Sequence, residues 1–244
     1  VDGRLDETFW NLTEPATEVL YGALNNTITW DALWDANRLY VAVRVYDSNL
    51  HNDSTNPWDD DSVEIYVDGD ASGGAYDSHD NYYIRKYGST TLWVKSGLGG
   101  TIQHAIINWG TYYIMEMSIP WLDLGVVPTS GMTIGFDIRV NDDDDGGDRD
   151  TKLMWHAAHD VSWQHPSFLG TAELAGLIGW WRLDEAEGRT AADSSGNGRT
   201  ATVQGNPTWQ PSGGKVGGAG TLGGDGDFLD VADEAAFDFT GGVT

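Results

Sequence analysis

The feature that most constrains this chain is an alternation of apolar and mostly polar residues at every second position. It is clearest in Leu39–Asp47, Ser62–Asp68 and Thr133–Asn141. Because successive side chains of a β-strand point to opposite sides, each stretch predicts a strand with one face in a core. Glu64 and Arg139 occupy polar positions of two such stretches, so we expect them to meet on an open face of a sheet.

Shorter stretches up to residue 174 have the same strand chemistry. Apolar segments bounded by turn residues predict further strands at Thr27–Leu33, Asn81–Tyr87, Thr91–Val94, Ile102–Trp109, Tyr112–Ile119, Lys152–His156 and Phe168–Leu174. Pro120–Leu124 predicts one helical turn, with proline at its first position. Many short strands joined by polar turns predict an all-β, antiparallel sandwich or barrel.

The glycine content changes near residue 175. Residues 175–244 contain 16 of the 32 glycines and few large apolar side chains, so they can hardly close a sandwich alone. We therefore predict a β-sandwich domain over residues 1–174 and an incomplete second β-sandwich domain over residues 175–244. In the second region Leu177–Leu183 and Phe228–Val231 are candidate strands, and Asp193–Gly198 is dense in turn residues.

Charge limits the classes of partner. The chain has 38 Asp and Glu against 13 Lys and Arg, a formal net charge of −25, so it would be repelled by nucleic acid and by anionic lipid. Neutral ligands and cations are better partners. It has no apolar run long enough to insert into a membrane. With no cysteine, disulfides, thiol nucleophiles and cysteine-ligated metals are excluded.

The chain begins at Val1 without a targeting pattern. We therefore expect a piece of a longer, processed or excised protein. We also expect it to be a monomer. Motifs of serine hydrolases, zinc proteases, P-loop enzymes and dinucleotide-binding folds are missing from the sequence. Most acids lie in polar loops, which do not raise a carboxyl pKa as glycosidase catalysis requires. These features favour a binding module over an enzyme.

Acidic residues cluster where predicted strands begin or end. The acidic run Asn141–Asp148, which contains Asp142, follows one alternating stretch, and Trp58–Asp61 precedes another; Asp47 ends a third. Hard carboxylate oxygens of this kind suit Ca²⁺, so Asp47, Asp61 and Asp142 are the candidate metal ligands. The alternative is a solvated acidic surface. A zinc site at His156-Ala157-Ala158-His159 is less favoured, because residues i and i+3 of a strand face opposite sides.

Two tryptophans lie outside any alternating pattern. Trp58 stands in Asn56-Pro57-Trp58, and Trp163 lies in Ser162-Trp163-Gln164, each beside polar residues. A pyranose has apolar C–H faces and a rim of hydroxyls, so flat aromatic side chains with polar neighbours suit it. The alternative is that one or both indoles pack as small hydrophobic clusters beneath loops.

The same stretches resemble the family 9 carbohydrate-binding modules. The resemblance covers about residues 1–174 through Asp2–Glu7 before Trp10, Trp34-Asp35, Asn56-Pro57-Trp58, Asp61–Ile65, Ile134–Asp142, Arg149, Ser162-Trp163, Pro166-Ser167 and Gly170. It implies an immunoglobulin-like or jelly-roll sandwich, bound Ca²⁺ and non-catalytic binding of polysaccharide or oligosaccharide in an extracellular or cell-surface protein. Catalytic or adhesive modules in the same parent chain would be its partners.

The resemblance also implies a sugar site. Two tryptophans would sandwich a terminal ring, here Trp58 and Trp163. The groups that grip its hydroxyls would be Glu64, Arg139, Arg149 and Asp160. The family pattern has Gln where this chain has Arg139, and Asn where it has Asp160, so the sugar preferred here is open.

The tail is similar to the start of laminin-G-like, concanavalin-type jelly rolls. The matching pieces are Leu177–Glu185, Ala192–Gly198 and Gly224–Val231, and Asp193 with Asn197 would help to bind Ca²⁺ in a complete domain of that type. Two other functions stay open for the whole chain. One is a structural or adhesive module that binds no sugar. The other is a haem-binding redox domain of the DOMON type, with Met154, His156 and His159 as candidate ligands.

Overall fold

The computed structural model describes residues 1–7, 10–96, 101–156, 159–176, 179–195, 198–214, 218–224 and 226–232. The chain divides into two compact units, Val1–Leu174 and Ala175–Thr244. The described residues contain no helix that is long and apolar enough to cross a membrane.

Antiparallel strands form the first sheet of unit 1. Their spatial order is β1 (Glu14–Pro15), β3 (Thr27–Trp34), β4 (Arg38–Tyr46), β9 (Tyr113–Pro120) and β8 (Gln103–Asn108). A 3-10 turn at Trp121–Leu124 follows β9, as the proline at position 120 predicted. Gly125 ends it with a left-handed φ of 60°, a conformation that glycine adopts without a side-chain penalty.

The second sheet of unit 1 is also antiparallel. Its order is β2 (Glu18–Tyr21), β11 (Thr151–Met154), β10 (Thr133–Asp142), β5 (Ser62–Asp68), β6 (Asp80–Lys86) and β7 (Leu92–Val94), and β12 (Gly170–Glu173) pairs with β10. Strand β5 runs over the stretch predicted from the sequence. Its neighbours in the sheet are the long strands β10 and β6, and every position of β5 is buried.

One core lies between the two sheets. Val41, Val43 and Val45 of β4 belong to the same buried cluster as Val63 of β5 and Phe136 of β10. The sheets are therefore packed face to face through the apolar positions that the alternation identified. The prediction of an all-β antiparallel sandwich is confirmed.

The register of the second sheet fixes which polar residues share its other face. Arg139 of β10 pairs with Glu64 of β5, which pairs with Ile84 of β6, which pairs with Trp93 of β7. Paired residues of antiparallel strands point to the same side of a sheet. This row therefore lies on the face opposite the core.

Unit 2 consists of short strands. β13 (Thr190–Ala191), β14 (Ala201–Gln204) and β17 (Phe228–Asp230) form one sheet, and β15 (Thr208–Gln210) pairs with β16 (Ala219–Thr221). The strand predicted at Phe228–Val231 is confirmed as β17. The strand predicted at Leu177–Leu183 is wrong for residues 179–183, where only Trp181 makes an isolated bridge, to Asp193. Residues 177 and 178 lie outside the described part.

Asp193 orders its own turn. Its carboxylate accepts hydrogen bonds from the backbone N–H groups of Trp180, Ser195 and Arg199 at 2.8–3.0 Å. Desolvation opposes ionisation, but these bonds overcome it and lower the pKa of Asp193. The second calcium ligand expected here, Asn197, lies outside the described residues. The assignment of residues 175–244 as an incomplete laminin-G-like domain stays a prediction.

Candidate functional site

A charge network covers the outer face of the second sheet. The Lys152 ammonium lies 3.2 Å from Glu64 Oε2, and Asn141 and Tyr66 each donate a 2.7 Å hydrogen bond to the same carboxylate. The Arg139 guanidinium lies 4.3 Å from the centre of the Tyr66 ring, within cation–π distance. Glu64 is thus contacted by one ammonium group and two neutral donors, and Arg139 lies over the ring of one of those donors.

These contacts set the ionisation of Glu64. Burial alone would raise its pKa, but the charges of Lys152 and Arg139 and the hydrogen bonds from Asn141 and Tyr66 lower it to about 2. Glu64 is 1% exposed and Arg139 is 0% exposed. Glu64 therefore stays ionised at neutral pH although solvent does not reach it.

The expectation that Glu64 and Arg139 meet on an open face is half right. They do lie side by side on the face opposite the core, as the alternation predicted. The expectation that this face is open is wrong, because the turn that contains Ser162 covers both side chains. Arg139 donates to the Ser162 hydroxyl, and Ser162 is itself fully buried. Direct contact of Glu64 or Arg139 with a ligand would need this turn to move.

Asp160 is the solvent-facing end of the network. Its carboxylate lies 3.3 Å from Arg139 Nη1, 3.4 Å from Lys152 Nζ and 3.7 Å from Arg149 Nη2. The Asp160 side chain keeps 41% of its surface exposed, and that of Arg149 keeps 22%. Of the four predicted gripping residues, Asp160 and Arg149 are thus the two that offer polar atoms to solvent.

Trp58 projects from a tight turn before β5. Asp59 N–H donates to the Asn56 carbonyl, and the Asn56 side-chain amide donates to the Asp59 carboxylate at 2.8 Å. Pro57 is buried beneath the turn, whereas Trp58 is 38% exposed. Arg149 Nη1 donates to the Trp58 carbonyl at 3.2 Å. The turn therefore presents the indole and ties its backbone to the charge network.

Trp163 projects from a second turn, three residues after Asp160. Gln164 and His165 N–H groups both donate to the Val161 carbonyl, and a 3-10 turn at Pro166–Phe168 follows. The indole N–H of Trp163 donates to the backbone carbonyl of Asp160 at 3.0 Å, which ties the ring to the backbone of that residue. Trp163 is 44% exposed. Both tryptophans predicted from the sequence are thus half-exposed and outside the core.

A separate group of carboxylates fits a cation. Asp47 follows β4, Asp61 precedes β5 and Asp142 ends β10, and one oxygen of each lies within 4.8 Å of the others. All three residues are buried. Asp47 Oδ2 and Asp61 Oδ1 are buried without a hydrogen-bond donor. Buried, unpaired oxygens of this kind match the hard ligands that Ca²⁺ requires.

The electrostatics of this group agree with that fit. Burial, together with the neighbouring Asp47 and Asp142 carboxylates, raises the pKa of Asp61 to about 9. Burial and Asp47 likewise raise the pKa of Asp142 to about 6, against hydrogen bonds from Asn25 and Asn26. Three like charges in a dry site repel one another, and a divalent cation would remove that repulsion.

The sequence reasoning missed several residues of the site. Lys152, Tyr66 and Asn141 surround Glu64, and Tyr76 donates from its hydroxyl to the Ser162 carbonyl at 2.9 Å. Lys152 carried a usable signal, since it begins a predicted strand in a chain with few cations. Tyr76 and Ser162 are 86 residues apart in the sequence, so no local pattern indicated that they make contact.

The histidines of the zinc and haem alternatives have ordinary neighbours. The His156 ring lies 5.8 Å from the Trp155 ring, and His159 meets Phe168 edge-on at 5.6 Å. His156 N–H donates to the Asp137 carboxylate at 3.1 Å. Residues 157 and 158 between them lie outside the described part of the chain.

Comparison with known proteins identifies a family. A model described as carbohydrate family 9 binding domain-like matches residues 1–177. Endo-1,4-β-xylanase A of Thermoanaerobacterium saccharolyticum is 34% identical over 179 residues, which are 72% of this chain and 15% of that protein. Endo-1,4-β-xylanase A of Thermotoga maritima is 35% identical over 71% of this chain and 17% of its own length. The match thus spans less than a fifth of each of these two relatives.

Solved structures of the same family also match this chain. A family 9 carbohydrate-binding module from Caldicellulosiruptor kristjanssonii in complex with cellotriose matches with a TM-score of 0.66 and 26% identity, over 72% of this chain and 89% of that one. A module from the same organism in complex with glucose matches with a TM-score of 0.65 and 27% identity, over 72% and 91%. Residues 1–177 therefore belong to the family 9 carbohydrate-binding modules, which are binding modules without catalytic activity.

Proposed function

We propose that this module binds a sugar ring between Trp58 and Trp163. The observation that carries the proposal is a chain of contacts from the backbone of Trp58 through Arg149 and Asp160 to the indole of Trp163, with both tryptophans half-exposed. Arg149 contacts the Trp58 carbonyl and the Asp160 carboxylate, and the Asp160 carbonyl accepts from the Trp163 indole. Both aromatic turns are thus tied to one solvent-accessible pair of opposite charges.

The chemistry of this arrangement suits a pyranose. Each indole offers an apolar face to the C–H faces of a ring, and the Asp160 carboxylate and the Arg149 guanidinium can accept from and donate to its hydroxyls. Covering about 80 Å² of apolar surface on one indole contributes roughly 2 kcal/mol at ~25 cal/mol per Å². Binding also costs translational freedom and desolvation of the charges, so modest affinity is expected.

The ligand class follows from the relatives. The similar modules of known structure hold cellotriose and glucose, and the curated relatives are xylanases and an exoglucanase. We infer that this chain recognises β-linked glucan or xylan chains, or their terminal sugars. It would act as a monomeric module that tethers an exported, multimodular polysaccharide-acting protein to its substrate.

Calcium would have a structural role in this proposal. Asp47, Asp61 and Asp142 would hold the ion and supply negatively charged oxygen ligands. Asp61 lies three residues after Trp58, and Asp142 continues the strand that contains Arg139. Neutralising the three carboxylates would therefore stabilise the ends of the strands next to the binding site.

The test is isothermal titration of the full chain with glucose, cellotriose and xylotriose. The wild type should bind at least one of them. Trp58→Ala and Trp163→Ala should each weaken that binding by about 30-fold or more, which corresponds to the lost ~2 kcal/mol.

Trp109→Ala is the matched control, because Trp109 is equally exposed but lies at the end of a strand in the first sheet. It should bind like the wild type. If both site variants keep wild-type affinity, the indole pair is not the site. Absence of binding to every glycan tested would favour the structural or adhesive alternative.

A further inference from the structure

A third tryptophan extends the aromatic surface beyond the two already described. Trp93 is the central residue of β7, and its neighbours Leu92 and Val94 pack against the core. Alternation therefore places the Trp93 side chain on the opposite face of the sheet. The register puts it in the same transverse row as Glu64 and Arg139, so it shares the face of the charge network.

Trp93 occupies an accessible position on that face. In the described residues β7 is the last strand in the order of the second sheet, so Trp93 stands at the sheet edge. It is 45% exposed, more than Trp58. A half-exposed indole at a sheet edge can be reached by an extended ligand without any movement of the strands.

Trp93 and Trp58 form a corner. Their ring centroids are 6.2 Å apart, and the two planes meet at 71°. Because the planes are nearly perpendicular, one flat sugar ring cannot stack on both indoles. A ring stacked on Trp58 would leave the face of Trp93 to the next unit of the same chain.

We propose that Trp93 forms a second sugar subsite, which contacts the neighbouring unit of a bound oligosaccharide. The inference rests on the proposed function, since it requires a first ring at Trp58. It predicts that the module discriminates by chain length. A trisaccharide gains the Trp93 contact and a monosaccharide does not, so cellotriose should bind about tenfold more tightly than glucose.

The competing role of Trp93 is mechanical support for Trp58. An indole that touches another edge-on restricts the rotamers of that neighbour, and its removal would loosen the whole site. The two roles make different predictions. A supporting residue affects every ligand of Trp58 equally, whereas a subsite residue affects only ligands long enough to reach it.

The experiment is calorimetric titration of wild type, Trp93→Ala and Trp93→Phe with glucose and cellotriose, with Trp109→Ala as the control. Trp93→Ala should weaken cellotriose binding about tenfold and change glucose binding less than twofold. Trp93→Phe keeps an aromatic face, so its affinity for cellotriose should lie between that of the wild type and that of Trp93→Ala. Thermal melts of each variant show whether the fold is retained, and Trp93→Phe supplies the test if the alanine variant unfolds.

Each other outcome overturns the subsite. Equal losses for glucose and cellotriose would make Trp93 a support for Trp58. Equal affinity of the wild type for the two sugars, or unchanged affinity in both Trp93 variants, would show that no second unit is contacted. A wild type that binds xylotriose but neither of these two sugars would overturn the subsite, and one that binds none of the three would refute the proposed function itself. This last result is distinguishable from the others, because each of those requires measurable binding by the wild type.

Discussion

Lys152→Met tests whether the buried charge network stabilises the site. Lys152 is the largest favourable influence on the ionised form of Glu64, whose pKa lies at about 2 instead of 4.5. A difference of roughly 2.5 pKa units corresponds to ~3 kcal/mol of unfolding free energy at neutral pH. The methionine retains most of the side-chain volume and removes the charge.

The sign of the pH dependence follows from the lowered pKa. A carboxyl whose pKa is lower in the folded state contributes stability above its unfolded pKa and loses it as pH falls toward the folded value. In the wild type that loss should extend from about pH 4.5 to about pH 2. In Lys152→Met the buried Glu64 lacks its main partner, so the variant should lose ~3 kcal/mol or more at pH 7. The gap between variant and wild type should narrow on acidification.

Urea unfolding of the full chain at several pH values between 7 and 3, followed by tryptophan fluorescence, measures both effects. Lys152→Arg keeps the charge and is the matched control. Adding Glu64→Gln to Lys152→Met removes the uncompensated carboxylate and should recover part of the loss. A destabilisation below about 1 kcal/mol at pH 7, or a gap that does not change with pH, would refute the reasoning.

Two further predictions concern the metal group and the Trp163 turn. Ca²⁺ at 100 times its Kd should add ~2.7 kcal/mol and raise the melting temperature by about 5–10 °C over that in EDTA. Asp61→Asn, which removes one of the three buried carboxylates, should abolish this response, and equal melting temperatures with and without EDTA would contradict the site. Tyr76→Phe deletes the hydrogen bond to the Ser162 carbonyl and should weaken sugar binding about two- to tenfold. The control Tyr40→Phe deletes a hydroxyl bonded to Asp35 on the first sheet and should bind normally; equal affinity in both variants would exclude a positioning role for Tyr76.

The strands of unit 1 were predictable because their signal is local. Period-two alternation in Ser62–Asp68 identified β5 to the residue, and the Thr133–Asn141 stretch fell one residue short of β10. In unit 2 the apolar run at Leu177–Leu183 led to a wrong prediction of a strand for residues 179–183, since an apolar run alone does not specify a strand. Only Trp181 of its described residues makes a bridge.

The site was less predictable, because alternation fixes the side of a sheet to which a residue points but not what covers that side. Glu64 and Arg139 lie on the predicted face, yet the turn that carries Trp163 seals them through Ser162. Such a cover comes from residues more than 20 positions away, and no local pattern encodes it. The sealed network has a consequence for recognition. Because the buried cations position Asp160 from below, substitutions that never touch a sugar should still alter its binding through the angle of that carboxylate.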